Sequence, residues 1–188
     1  MGDSARRRRG KTRDISELSH EEQLQYARGI VTRQLAMMDR SRAQLAAALA
    51  RRGVPDAVAE QVVRQLEEAG LVDDAHFAAA IARTRFSEKQ LSRRAIAAEL
   101  RRKGVADEFV EAAVAQITPD EEAAAAITLA EKKLRSESGD WEGVVRRVYG
   151  LLARRGFSAS QSSHAIREAS KRIDESEKAD TGVIDDLD

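Results

Sequence analysis

Three pairs of basic side chains stand directly before a glycine, and their charges could bind the oxygens of phosphates or carboxylates. The phrase is LARRG at 49–53, LRRKG at 100–104 and LARRG again at 152–156. Two interpretations stay open, because the helix dipole alone favours cations near a helix C-terminus, whereas pairs in aligned units would form a basic stripe. The candidate stripe residues are Arg51, Arg52, Arg102, Lys103, Arg154 and Arg155, followed by Arg83, Arg85, Arg93 and Arg94.

A second candidate for phosphate chemistry is the segment Ala5 to Thr12, which reads ARRRRGKT and satisfies a loose phosphate-loop pattern. A working loop of this kind needs a preceding buried strand, glycine-rich flexibility and a following helix that presents its first N–H groups. None of these surrounds Gly10. We therefore reject a nucleotide site.

Catalytic and metal-binding chemistry is not indicated. The sequence contains no cysteine, and His20, His76 and His164 are far apart without ligand spacing. His164 follows two serines, but the pattern contains no acidic residue to orient it. We expect no enzyme activity, no cofactor and no bound metal.

The elements that position the basic pairs follow from the same repeat. The three glycines are 51 and 52 residues apart, and apolar Leu45, Ile96 and Val148 lie eight residues before them. An apolar stripe that stops at a glycine indicates a helix ending in a left-handed turn. A second helix follows each turn, with apolar Val63, Val114 and Ile166 ten residues after the glycines.

Capping signals add a third helix ahead of each pair. Ser19 with Glu22, Ser41 with Gln44, and Ser158 with Gln161 match the capping box, Asp56 opens another helix, and Thr118 is an N-cap followed by a proline. The sequence thus predicts nine helices in three units of three. Aromatic residues sit at helix-core spacing and are predicted to pack inside rather than stack on bases: Phe77, Phe109, Trp141, Tyr149 and Phe157.

Composition supports an all-α fold, because helix formers dominate and only 4% of residues are aromatic. We predict three-helix repeats at 19–72, 73–118 and 119–173, forming an elongated, curved row of helix-turn-helix-like modules. A basic head (1–18) and an acidic tail (174–188) are predicted to be disordered. No uncharged apolar run approaches the roughly 18 residues of a membrane span, so the cytoplasm is the expected location.

The order of these phrases resembles the RecX regulators. The similarity spans about residues 24–172 and includes SRAQLAAALARRGV, SRRAIAAELRRKGV and RRVYGLLARRGFSASQSSHAIREA. The most specific part is the link LEEAGLVDDAHFAAAIARTR between the first two repeats. The arginine-rich head and acidic tail depart from the plainest family pattern.

The resemblance implies a negative regulator of the RecA recombinase that lodges in the groove of the RecA–DNA filament. Such a protein would inhibit filament growth, ATP hydrolysis, strand exchange and the SOS co-protease activity. It also implies binding of single- and double-stranded DNA without sequence preference, and we expect a monomer. The alternatives are a helix-turn-helix transcription regulator and a helical scaffold for an unrelated partner.

Overall fold

The computed structural model describes residues 15–182, with side chains described through Glu177. All regular structure in this range is helical, which confirms the all-α prediction. A 3₁₀ turn at Ile15–Glu17 precedes nine α-helices: α1 His20–Leu35, α2 Arg42–Ala50, α3 Asp56–Glu68, α4 Asp74–Lys89, α5 Arg93–Arg102, α6 Asp107–Ala115, α7 Pro119–Ser136, α8 Trp141–Arg154 and α9 Ala159–Gly182. The chain divides into two compact units, Met1–Asp73 and Asp74–Asp188. The first unit contains α1–α3, and the second contains the remaining six helices.

Reciprocal capping boxes are present at four helix starts, including all three that the sequence predicts. Ser19, Ser41 and Thr118 each accept a backbone N–H at N3, and the N3 side chain accepts the N-cap N–H in return. Ser158 and Gln161 make the same reciprocal pair before α9. Asp56 opens α3 as predicted, as its first helical residue, while Pro55 holds the N-cap position without a side-chain cap. Its carboxylate lies in the first turn, where the helix dipole favours negative charge.

Each repeat contains the predicted left-handed glycine turn. Gly53, Gly104 and Gly156 have φ of 74°, 76° and 92°. The N–H of the following residue donates to the carbonyl five residues earlier, as in Val54 to Leu49 at 3.2 Å, and this bond closes the helix C-terminus. The residue after each glycine is buried, with 3%, 5% and 2% of Val54, Val105 and Phe157 exposed.

The first unit has one core, built from the facing sides of α1, α2 and α3. Leu45 and Leu49 of α2 are fully buried against Ile30 and Val31 of α1, and α3 adds Val62. Leu45 is the position eight residues before the turn glycine, so the predicted inward stripe is confirmed here.

The second unit has two cores, one for each of its repeats. Ile96 and Leu100 of α5 lie in the first of these, together with Phe77 of α4. Val148 and Leu152 of α8 lie in the second. The two repeats therefore pack internally in the same way, with α5 and α8 in equivalent places.

Two aromatic residues do not pack as predicted. Phe77 and Phe157 are buried, and Phe109 packs partly against the core of its repeat, but Trp141 is 58% and Tyr149 37% exposed. The buried stripe of α8 runs through Val144, Val148 and Leu152. Tyr149 lies about 100° around the helix from Val148, and Trp141 is the first helical residue, so neither can enter the core.

The described residues of the two predicted ends include helical segments. In the head, the side-chain amide of Gln23 donates to the Ile15 carbonyl at 3.0 Å and holds the 3₁₀ turn. In the tail, α9 continues past Asp174 to Gly182, since helix formers and the Lys171–Glu175 pair extend it. The rest of the predicted head and tail, 1–14 and 183–188, lies outside the described residues.

The described helices lack two kinds of feature. None of them combines the length and the apolar character that crossing a membrane requires. Within the same residues, no group of three or more His, Cys, Asp or Glu side chains is arranged to hold a metal ion.

We expect Leu100→Ala to lower the free energy of unfolding by about 2–5 kcal/mol, because it opens a cavity in a fully packed core. Leu71→Ala is the matched control: Leu71 is 63% exposed, and the change is expected to stay within about 0.5 kcal/mol. Urea unfolding followed by circular dichroism measures both. Equal effects of the two substitutions would contradict the assigned core.

Candidate anion-binding surface

The basic pair of the first unit lies on an open turn. Arg51 and Arg52 are exposed, as is Gly53 beside them. Neither arginine forms an ion pair with another described residue. Both guanidinium groups can therefore meet an external anion.

Arg85, in contrast, is bound within its own repeat. Its Nε and Nη2 donate to the two carboxylate oxygens of Glu99 at 2.8 and 2.9 Å, which links α4 to α5. This hydrogen bonding from Arg85 holds the pKa of Glu99 below its ordinary value, and the charge of Lys103 adds to the effect. Lys103 lies 3.8 Å from the same carboxylate. One carboxylate thus offsets part of the charge of two candidate residues.

Arg93 and Arg94 open helix α5 and point to different partners. Arg93 is half-buried, and its Nε donates to the Val114 carbonyl at 3.2 Å. Arg94 is exposed, and its Nε donates to the Gly156 carbonyl at 3.1 Å. Arg94 therefore reaches from the second repeat to the basic turn of the third.

The third turn and the start of α5 are in direct contact. The Ser92 N–H donates to the Arg155 carbonyl at 2.9 Å, beside the bond from Arg94 to Gly156. Arg94 of the second repeat therefore lies beside the turn that carries Arg154 and Arg155, and we call these three residues the joint cluster. The arrangement suits phosphate or carboxylate oxygens.

Arg83 and Arg102 are exposed on the second repeat. Neither forms an ion pair with a described residue. They add free positive charge to the second unit, outside the joint cluster.

The exposed aromatic residues were missed by sequence reasoning. Trp141 and Tyr149 project from α8, which also carries the exposed Arg146. The sequence does contain a pattern that indicates their exposure. Val144, Val148 and Leu152 form a complete apolar stripe at positions i, i+4 and i+8, and both aromatic residues lie outside it. Large exposed aromatic side chains are typical of protein interfaces.

The fold and this surface define a tandem three-helix repeat protein. Residues 27–66, 73–114 and 120–166 match the first, second and third three-helix domains of RecX, respectively. The chain belongs to the RecX family.

Several relatives support this assignment. Regulatory protein RecX of Thermobifida fusca is 46% identical over 143 residues, covering 76% of this chain and 77% of the relative. The Streptomyces coelicolor regulatory protein RecX is 40% identical over 147 residues, or 78% of either chain. The crystal structure of RecX from Lactobacillus salivarius superposes with a TM-score of 0.69 at 20% identity, over 80% of this chain and 98% of that one, and shows the shared fold. RecX-family regulatory proteins are non-enzymatic, so the expectation of no enzyme activity is confirmed.

The Arg85–Glu99 pair gives a pH-dependent prediction. Because the folded-state pKa of Glu99 is lowered, its ionised form stabilises the fold above the ordinary carboxyl value of 4.5, and this contribution is lost as pH falls through the lowered pKa. We expect Glu99→Gln to cost on the order of 1–3 kcal/mol at pH 7 and much less at pH 3. Urea unfolding of both proteins across this range measures the difference. A constant difference between pH 7 and pH 3 would contradict it.

Proposed function

We propose that this chain is a negative regulator of the RecA recombinase that binds in the groove of the RecA–DNA filament. In this position it inhibits filament growth, and with it ATP hydrolysis, strand exchange and the SOS co-protease activity. Membership of the RecX family supports the proposal. The observation that carries it is the joint cluster, in which Arg94 of the second repeat contacts the basic turn of the third.

Electrostatic complementarity explains why such a surface suits a nucleoprotein filament. A groove lined by DNA phosphates and acidic side chains attracts a surface whose guanidinium groups are not neutralised by its own carboxylates. Arginine also presents a planar fork of donors that matches both kinds of oxygen anion. Several contacts of this kind, spread over a helical repeat, bind without a single deep pocket.

Internal ion pairs indicate which candidate residues should contribute most to binding. Arg85 and Lys103 share Glu99, so we expect the smallest contribution from them. The exposed arginines without an internal ion pair are expected to contribute most: Arg51, Arg52, Arg83, Arg94, Arg102 and Arg154. Contacts of arginine to phosphate carry no base information, so DNA binding should lack sequence preference. We expect the protein to act as a monomer.

The helix-turn-helix alternative receives less support from the charges. A reading helix inserts its N-terminal residues into the major groove. In the first two repeats, the helix that follows the glycine turn begins with acidic residues. These are Asp56 in α3 and Asp107 and Glu108 in α6. Carboxylates at these positions would repel the phosphates on either side of the groove.

Charge reversal tests the proposed surface. Arg102→Glu with Arg154→Glu is expected to weaken inhibition of RecA's single-strand-dependent ATP hydrolysis by on the order of tenfold, since two attractive contacts become repulsive. The control is Arg167→Glu with Lys171→Glu, which makes the same charge change on the exposed face of α9. It should inhibit like the unaltered protein. Equal loss in both variants would show that only net charge matters, and no loss in either would remove the surface from the proposal.

Salt dependence separates phosphate contacts from contacts with acidic protein side chains. If Arg102 and Arg154 touch DNA, replacing each with Ala should reduce the slope of log affinity against log salt concentration by about 0.7 for single-stranded DNA. Fluorescence anisotropy with an oligonucleotide in the absence of RecA measures this slope. An unchanged slope would assign both arginines to the protein part of the filament.

A further inference from the structure

One carboxylate connects the second and third repeats. Glu122, in the first turn of α7, is 7% exposed and is the one buried charged residue among those described. Its Oε1 accepts the Arg93 backbone N–H at 2.7 Å, at the start of α5. Its Oε2 accepts the side-chain amide of Gln161, from α9, at 3.1 Å. Three helices from two repeats therefore meet at Glu122.

A buried carboxylate with two donors is difficult to replace. Both of its oxygens act as acceptors, and the one facing α5 also meets the positive end of the helix dipole. A glutamine at this position has a single acceptor oxygen and would turn its NH₂ group towards one of the two donors. The other donor would then lose its partner at a buried position.

The glycine turn of the third repeat also packs closely against the start of α5, and we call this contact between the two repeats, together with Glu122, the joint. A Cβ added to Gly156 would lie 2.5 Å from the Ala95 Cβ and 2.5 Å from the Ser92 Oγ. The Ala95 Cα is 3.3 Å away, so side-chain movement alone cannot relieve the contact. Only glycine allows the turn to approach α5 so closely.

Comparison with the first repeat shows that the close packing of Gly156 does not follow from its local sequence. The pentapeptide LARRG occurs in both the first and the third repeat, and Gly53 has the same left-handed backbone as Gly156. Yet a Cβ on Gly53 would meet only the Ile15 Cδ1, at 3.7 Å. The close contact at Gly156 thus depends on the surface it packs against.

We propose that Glu122, Gln161 and Gly156 are positioning residues, which hold the second and third repeats as one rigid double unit and present the joint cluster as a single anion-binding site. The consequence for filament binding rests on the proposed function. A fixed joint keeps Arg94 at the turn that carries Arg154 and Arg155 before binding, so no ordering of the two repeats is needed in the complex. A loosened joint would keep every cation but lose their common geometry.

The geometric part of the proposal is tested without RecA. The sequence has no cysteine, so Glu108→Cys and Lys132→Cys, both at exposed positions, accept spin labels on α6 and α7. Electron–electron double resonance should give one narrow distance distribution in the otherwise unaltered chain. Glu122→Gln and Gly156→Ala, introduced singly, should each broaden it at least twofold.

Gly70→Ala is the matched control. Gly70 has φ of 68° and nothing within 4 Å of an added Cβ, so the substitution imposes similar backbone strain without touching the joint. It should leave the distance distribution unchanged. Circular dichroism verifies that each variant stays folded, and the milder Glu122→Gln remains informative if Gly156→Ala does not fold.

The functional part compares the same variants for binding to RecA filaments on single-stranded DNA. We expect about tenfold weaker binding for Glu122→Gln and Gly156→Ala, and unchanged binding for Gly70→Ala. An unbroadened distance in both joint variants overturns the rigid joint, and broadening with full filament affinity overturns its positioning role. If the unaltered protein itself fails to bind filaments, the proposed function is wrong, while the distance measurement still decides whether the joint is rigid.

Discussion

The left-handed turn after the second helix of each repeat is the constraint on which the rest of the structure depends. At Gly53, Gly104 and Gly156 the backbone reverses without strain, and the next apolar residue drops into the core. The same turn leaves two basic side chains at the end of the preceding helix, where its dipole favours them. One short sequence motif therefore provides both core packing and surface charge, and each repeat of the motif provides both again.

Internal carboxylates then decide which of these charges remain available to a partner. Glu99 binds Arg85 and lies near Lys103, which ties the second repeat together from within. At the third turn, no described carboxylate forms an ion pair with Arg154 or Arg155. Glu122 instead accepts the backbone N–H of Arg93, fixing the joint while leaving the guanidinium of Arg94 directed to the neighbouring turn. The proposed binding surface depends on this division between structural and free charge.

Local patterns in the sequence were sufficient to predict the helices, because caps and turns are interactions between residues that are three to five positions apart. Ser41 with Gln44 and the bond from Val54 to Leu49 are of this kind. The contact of Ser92 with Arg155 could not be predicted, since it joins segments that are distant in sequence and depends on how two repeats pack. Trp141 was wrongly assigned to the core because its spacing fits a helical stripe, although its place at the helix start leaves it exposed.

The proposed target is RecA assembled into a filament on DNA. We would therefore first measure single-strand-dependent ATP hydrolysis by RecA from the same organism, titrated with this protein. A regulator that binds filament ends or spans several protomers should inhibit well below one molecule per RecA protomer. Unchanged hydrolysis at every ratio would contradict the account, whatever the protein's affinity for DNA alone.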